Sequence, residues 1–102
     1  MSQVNGAVRI VSLEVSLDLI CSFSLKDKRK LRQRLLDRLK AKYNISIIES
    51  DLQDDYRRLE LFAAYVALNE SSGIQLMERI QDYIFTLIEG EAILRNFYYE
   101  LH

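Results

Sequence analysis

The segment Val11-Ser-Leu-Glu-Val-Ser-Leu-Asp-Leu19 decides much of the fold, because apolar and polar side chains alternate through all nine residues. Successive side chains of a β-strand point to opposite faces, so this alternation predicts a strand with one buried face. The polar face carries Glu14 and Asp18 and is expected to look toward water or a polar partner. Such a strand needs a second layer against its apolar face, and the residues that follow predict one.

A basic amphipathic helix is predicted directly after this strand. Ser24-Leu-Lys-Asp27 has the pattern of a capping box, in which the Ser24 hydroxyl accepts from the Asp27 amide and the Asp27 side chain reaches back. The helix is expected to run to about Tyr43. Lys28 falls near its apolar stripe but lies in the first turn, so we expect its side chain to leave the core past the helix end. The apolar face is formed by Leu31, Leu35, Leu36 and Leu39.

Two strands are predicted in the middle of the chain. Residues 45–48 form a short strand, which is expected to end where the acidic stretch 49–55 begins. Residues 59–68 form a longer strand with apolar side chains at both even and odd positions. A strand that is apolar on both faces is typical of the centre of a sheet, and something must cover its second face.

The last third of the chain predicts a helix and a final strand. Residues 69–73 are interpreted as a loop, followed by a helix with a candidate capping box at Ser72 and Gln75. Gly90 is expected to close this helix, because glycine adopts the left-handed conformation that often follows a helix end. The final strand covers about residues 92–101.

The resulting order β-α-β-β-α-β predicts an α+β, ferredoxin-like sandwich. Because crossover connections are right-handed, both helices should pack on one face of a four-stranded antiparallel sheet. The expected strand order is fourth, first, third, second, and the other face stays bare unless a partner covers it. The 102 residues fit a single domain with a core over roughly residues 8–101.

Composition narrows the class of protein. About half of the residues (49%) are apolar, which is normal for a packed domain. The longest apolar run is the eight residues 61–68, whereas a transmembrane helix needs about 20. No secretory leader is visible and there is a single cysteine, so the expected setting is cytoplasmic, without a membrane partner.

The net charge of −1 hides an uneven distribution. Residues 26–42 hold nine basic and two acidic residues, and the other 85 residues carry a surplus of eight negative charges. A basic helix can bind phosphates by releasing their counterions, and a helix start favours an anion. The alternative is a solvated helix face paired with the protein's own carboxylates. The candidate RNA- or phosphate-binding residues are Ser24, Lys26, Lys28, Arg29, Lys30 and Arg34.

At Ser24-Leu-Lys-Asp-Lys-Arg29, after an alternating strand, the chain resembles the YlxP-like family of small bacterial proteins of poorly defined function. Asn44-Ile-Ser46 matches its Asn-Val-Ser-like strand, and the similarity spans roughly residues 8–100. The resemblance implies the ferredoxin-like fold, a bacterial cytosolic setting, and genes beside translation and transcription factors. That neighbourhood implies a role around RNA or the ribosome, and no catalytic residues carry over. The family's acidic Gln-Asp segment and the aromatic after it mark the candidate interaction residues Gln53, Asp54 and Tyr56.

The chain departs from the family pattern at two places. The loop before the hexapeptide usually carries Pro and Gly, but residues 19–23 have neither. The third strand usually carries Gly and small residues, but this chain has Phe62 and Tyr65. Both differences bear on any function that depends on that loop or on a closely packed sheet surface.

Catalytic chemistry is not expected. The single histidine, His102, is the last residue, and Cys21 is interpreted as a buried structural thiol. Three glycines are too few for a phosphate-binding loop, and the acidic stretch 49–55 lacks the ligand spacing and glycine of an EF-hand. We therefore expect no enzyme activity, no cofactor and no metal. A small enzyme would depend on Asp54, Cys21 or His102.

Two functions from different classes remain. The first is a non-enzymatic adaptor that contacts RNA or the ribosome through the basic helix. The second is a homo-oligomeric interaction module, most simply a homodimer, that binds an acidic protein partner. RNA binding on the sheet face, as in RRM domains, is not expected, because residues 59–68 lack the basic-Gly-aromatic signature.

Overall fold

The computed structural model describes residues 7–102, whose elements follow the predicted order β-α-β-β-α-β. The four strands form one antiparallel sheet in the order β2-β3-β1-β4, with both helices on one face. The ferredoxin-like sandwich and its strand order are thus confirmed. The elements are β1 Arg9–Leu19, α1 Leu25–Lys42, β2 Ser46–Asp51, β3 Arg58–Ala67, α2 Glu70–Ile88 and β4 Ala92–Leu101.

The core lies between the sheet and the two helices. The alternation in β1 places its odd-numbered residues, Val11 to Leu19, against the helices, and all five are buried. Leu17 pairs with Leu59 at the centre of the sheet, and Leu39 packs from α1; none of the three is exposed. Removing apolar surface from water is the main stabilising term in such a sandwich.

The start of α2 differs from the prediction. Asn69 is the cap: its side chain accepts from the Ser72 amide at 2.9 Å, and Ser72 Oγ accepts from the Asn69 amide at 3.3 Å. The predicted capping box at Ser72 and Gln75 is therefore wrong by one turn, and part of the predicted loop is helix. Gly73 is buried close to the sheet, since a Cβ there would lie 3.2 Å from Val11 and 3.3 Å from Ala67.

The second strand is longer than predicted. β2 continues through Glu49 to Asp51, because Glu49 pairs with Leu61 and Asp51 with Glu60 after a register shift. The prediction that the acidic stretch ends this strand is wrong, since backbone pairing with β3 does not depend on the charge of the side chains. As a result, Glu49 points to the same face as Ile47, toward the helices.

The outer face of the sheet is not covered by either helix. Several large apolar side chains are exposed there, among them Phe62 at 39% and Val66 at 65%. Glu14 pairs with Phe62 on one side and with Tyr98 on the other, so carboxylates interrupt the apolar surface. Neither helix within residues 7–102 is both long enough and apolar enough to cross a membrane.

Candidate functional site

Lys28 is the most buried cation of α1, with 1% of its surface exposed. Its ammonium donates to the carbonyl oxygens of Leu52 at 2.6 Å and Asp55 at 2.7 Å. It also lies 2.8 Å from Glu49 Oε2. The expectation that Lys28 leaves the core past the helix end is wrong: three oxygens satisfy its charge inside the protein, and it is not on the surface that a phosphate would meet.

Glu49 is the carboxylate that makes this burial possible. Burial would raise the pKa of Glu49, but hydrogen bonds from Lys28 and Arg32 outweigh it and hold the pKa below the ordinary value of 4.5. Arg32 reaches the other carboxylate oxygen, Oε1, at 3.0 Å. Arg32 is half-buried at the rim of the helix. Only 7% of the Glu49 side chain is exposed, so the ion pair is shielded from solvent.

The Lys28 contacts join the two parts of the sequence that carry the family resemblance. Lys28 belongs to the hexapeptide at the start of α1, whereas Leu52 and Asp55 lie in the loop between β2 and β3. Leu52 adopts a positive φ of 56°, which turns the chain sharply at this point. Lys28 therefore fixes the loop beside the helix start, which is a structural role.

The start of α1 is capped by its own carboxylate. Ser24 Oγ accepts from the Asp27 amide at 3.1 Å, which confirms the predicted cap. Asp27 reaches back one residue further than expected, accepting from the Phe23 amide at 3.0 Å. The Asp27 carboxylate thus lies at the helix start. Of the predicted anion-binding corner of Ser24, Lys26, Lys28 and Arg29, Lys28 is internal, whereas Lys26 and Arg29 are exposed.

Arg34 is also held by the protein itself. Its guanidinium forms an ion pair with Glu91 and donates to the Leu87 carbonyl oxygen at 3.2 Å. The Glu91 carboxylate accepts from both terminal nitrogens of the guanidinium. This two-pronged contact ties α1 to the turn between α2 and β4, so Arg34 is already partly neutralised.

Six other cations of α1 stay exposed. Within residues 7–102 none of them forms an ion pair. The two acids of α1 have other partners: Asp27 accepts from the Phe23 amide, and Asp37 accepts from the Gln33 side chain at 2.8 Å. Lys42, the sixth, lies over the Tyr83 ring. The other five define what we call the α1 basic face: Lys26, Arg29, Lys30, Arg38 and Lys40.

The structure therefore divides the sequence-predicted phosphate site. Lys26, Arg29 and Lys30 lie together on the α1 basic face, while Lys28 is internal and Arg34 is paired. Sequence reasoning missed Arg38 and Lys40 as members of this face. Arg38 has no acid one turn away in either direction, and Asp37, one turn before Lys40, accepts a hydrogen bond from Gln33.

The predicted interaction residues lie in the loop between β2 and β3, residues 52–57, which Lys28 fixes and which we call the tethered loop. Gln53 and Asp54 are exposed at its tip, and the half-buried Tyr56 ring lies 5.5 Å from the Arg57 guanidinium. No contact joins these side chains to the α1 basic face within residues 7–102. The loop and the basic face are therefore neighbouring surfaces, and the role of the loop stays a prediction.

Two residues considered for catalysis, Cys21 and His102, contact different parts of the protein. Cys21 is exposed rather than buried as interpreted, and its thiol lies 3.3 Å from the Gly90 carbonyl oxygen. His102 Nε2 lies 2.8 Å from Ser12 Oγ at the other end of β1. Across residues 7–102, no group of three His, Cys, Asp or Glu side chains is placed to hold a metal ion.

Comparison with known proteins gives a family without an assigned activity. A family model described as "Protein of unknown function (DUF503)" matches residues 10–95, well over half of the chain. The chain is also similar to "Uncharacterized protein YlxP" of Bacillus subtilis (strain 168). The two are 32% identical over 71 residues, which cover 70% of this chain and 77% of the relative. Residues 10–95, which the family model matches, include α1 and the tethered loop.

Proposed function

Since the chain belongs to the DUF503 family of proteins of unknown function, we propose that it is a non-enzymatic protein that contacts RNA, free or in the ribosome, through the α1 basic face. The observation that carries this proposal is the set of exposed cations that no carboxylate within residues 7–102 neutralises. Phosphates gain affinity by releasing counterions when they meet such a surface, and they need no deep cavity.

Ion pairing inside the protein sharpens this proposal. Lys28, Arg32 and Arg34 serve the fold, so the phosphate-binding residues reduce to those with free ammonium or guanidinium groups. Lys26 and Lys30 are four residues apart and therefore share one side of the helix. Arg29, between them in sequence, is also exposed. A phosphate chain running along the helix axis would meet these side chains in turn.

The experiment compares two double variants that remove the same charge. The test variant, Lys26→Gln with Lys30→Gln, removes two cations from the α1 basic face. The control variant, Arg57→Gln with Arg95→Gln, removes two exposed cations elsewhere. Binding of a labelled single-stranded RNA is measured by fluorescence anisotropy at several salt concentrations. We expect the first variant to bind about tenfold more weakly, with a slope of log K against log salt smaller by about 1.4.

The control variant should keep the wild-type slope to within experimental error. Equal losses in the two variants, or wild-type binding that does not change with salt, would contradict the proposal. Co-sedimentation of the same proteins with ribosomes then asks whether the RNA contact occurs on the ribosome. Nuclease treatment before a pull-down separates RNA from an acidic protein partner, because only a protein partner survives it.

A second candidate function is self-association through the outer face of the sheet. The observation that favours it is the number of large apolar side chains exposed on this uncovered face, around the carboxylates that interrupt it, since exposed apolar surface of this extent often marks a contact with another protein. A second copy would bury part of this surface, whereas the two α1 basic faces would stay available on one particle. The apolar residues concerned are Ile10, Ile48, Phe62, Val66 and Tyr98.

A further inference from the structure

A cavity of about 440 Å³ lies between the end of α1 and the middle of α2. The cavity is shallow, so a ligand there would keep part of its surface in solvent. The cavity is open on one side and combines aromatic rings with charged groups. Its walls are formed by Lys42, Tyr43, Arg79, Asp82, Tyr83 and Thr86.

Two tyrosine rings form the firm wall of this cavity. The rings of Tyr43 and Tyr83 meet edge to face, with centroids 6.0 Å apart and planes at 76°. Tyr43 Oη donates to the Arg79 carbonyl oxygen at 3.4 Å, which holds the first ring in place. Both rings are half-buried, so each has one part packed against the core and another part facing the cavity.

The Lys42 ammonium lies over the face of the Tyr83 ring, so this face is able to receive a flat or charged group. The ammonium lies 4.1 Å from the Tyr83 ring centroid and 5.9 Å from that of Tyr43. Lys42 is exposed and has a flexible side chain, so a ligand that stacks on the ring can displace it. The displaced ammonium stays beside the ligand and can meet its phosphate.

The charges around the cavity favour an anion. Lys42 and Arg79 are exposed cations, and within residues 7–102 no ion pair joins either of them to Asp82. Arg38 lies one helical turn before Lys42 and therefore on the same side of α1. The cavity thus continues the α1 basic face toward α2, and a nucleic acid lying along α1 would reach it.

Resting on the proposed function, we infer that this cavity holds one nucleotide of a single-stranded RNA. The base stacks on the Tyr83 ring, and Lys42 and Arg79 receive the adjoining phosphates. An unpaired base can stack on an aromatic ring, whereas a base inside a duplex cannot. The site therefore selects single strands. The α1 basic face supplies affinity, and the cavity supplies the preference for unpaired bases.

The test measures the preference for single-stranded over double-stranded RNA. A labelled eight-nucleotide RNA and its duplex are titrated by fluorescence anisotropy with wild type, Tyr83→Leu and the control Phe85→Leu. Phe85 is an exposed aromatic residue of the same helix that does not line the cavity. We expect Tyr83→Leu to bind the single strand about tenfold more weakly while duplex binding and its salt dependence stay unchanged.

Arg79→Gln is a second variant that keeps both tyrosine rings, so it tests the site even if Tyr83→Leu fails to fold. It should weaken single-strand binding and lower its salt slope by about 0.7. A nucleoside monophosphate added as a competitor should not displace the RNA at equal concentration, and displacement would point to a free nucleotide as the ligand instead.

The two proposals fail in different ways. If Tyr83→Leu keeps the wild-type preference while the α1 charge variants lose affinity, the cavity is not a base site and the proposed function stands. If wild type binds neither RNA, both proposals are overturned together.

Discussion

The environment of Lys28 could be predicted only in part from the sequence. Its place near the apolar stripe of α1 indicated an unusual environment, and Glu49 lies in phase with the buried Ile47. We nevertheless expected Lys28 to leave the core, because the acidic stretch from Glu49 was interpreted as the end of the strand. The contacts with the carbonyl oxygens of Leu52 and Asp55 left no signal in the sequence, because backbone carbonyls are present at every residue and only the loop conformation aims them.

We expect Lys28→Met to destabilise the fold by about 3 kcal/mol. The substitution keeps most of the side-chain volume but leaves two buried carbonyls unpaired and Glu49 with Arg32 alone. Urea unfolding followed by circular dichroism measures the change in unfolding free energy. Lys26→Met on the exposed side of the same turn is the control and should change it by less than about 0.5 kcal/mol. Equal effects of the two substitutions would show that the buried contacts contribute little.

At the scale of the element, periodicity predicted all six helices and strands, and their ends were less certain. Asn69 and Ser72 are both good capping residues three positions apart, so the sequence offered two starts for α2. The structure uses the earlier one, and the close approach of Gly73 to Val11 is a long-range contact that the local sequence does not contain. The extension of β2 through Glu49 likewise depends on its pairing with β3.

Asn69→Ala should lower the unfolding free energy by about 1 kcal/mol. The substitution removes the side chain that accepts from the Ser72 amide, so a donor at the helix start loses its partner. Ser71→Ala is the matched control, because Ser71 lies in the same turn and is exposed. Thermal unfolding of both variants gives the comparison. A larger loss in Ser71→Ala than in Asn69→Ala would mean that the cap has been assigned to the wrong residue.

At the scale of the whole molecule, the topology followed from the order of the elements, but the distribution of charge did not. The sum over residues 26–42 predicted a basic helix and could not separate the cations that serve the fold from those that face solvent. That separation depends on carboxylates far away in the chain, namely Glu49 and Glu91. The Tyr43–Tyr83 cavity was equally hidden, since its two walls are 40 residues apart.

Self-association through the sheet face predicts a mass near twice 12.0 kDa in light scattering at moderate salt. Phe62→Asp should shift the protein to the monomer, because it places a charge in the centre of the exposed apolar surface. Phe85→Asp is the control, since Phe85 is similarly exposed but lies on α2. A wild-type protein that stays monomeric at high concentration would contradict this candidate function.

The separation of charge also has a consequence for solubility. With a net charge of −1, two copies hardly repel each other, yet each one carries the α1 basic face and, on the sheet, an acidic surface around Glu14. In dilute buffer these unlike regions attract one another over distances longer than a side-chain contact, and added salt shortens that range to about 8 Å at physiological strength. The protein should therefore dissolve better as salt rises, as dipolar molecules do, and precipitation on dialysis into water would reflect its charge pattern rather than loss of folding.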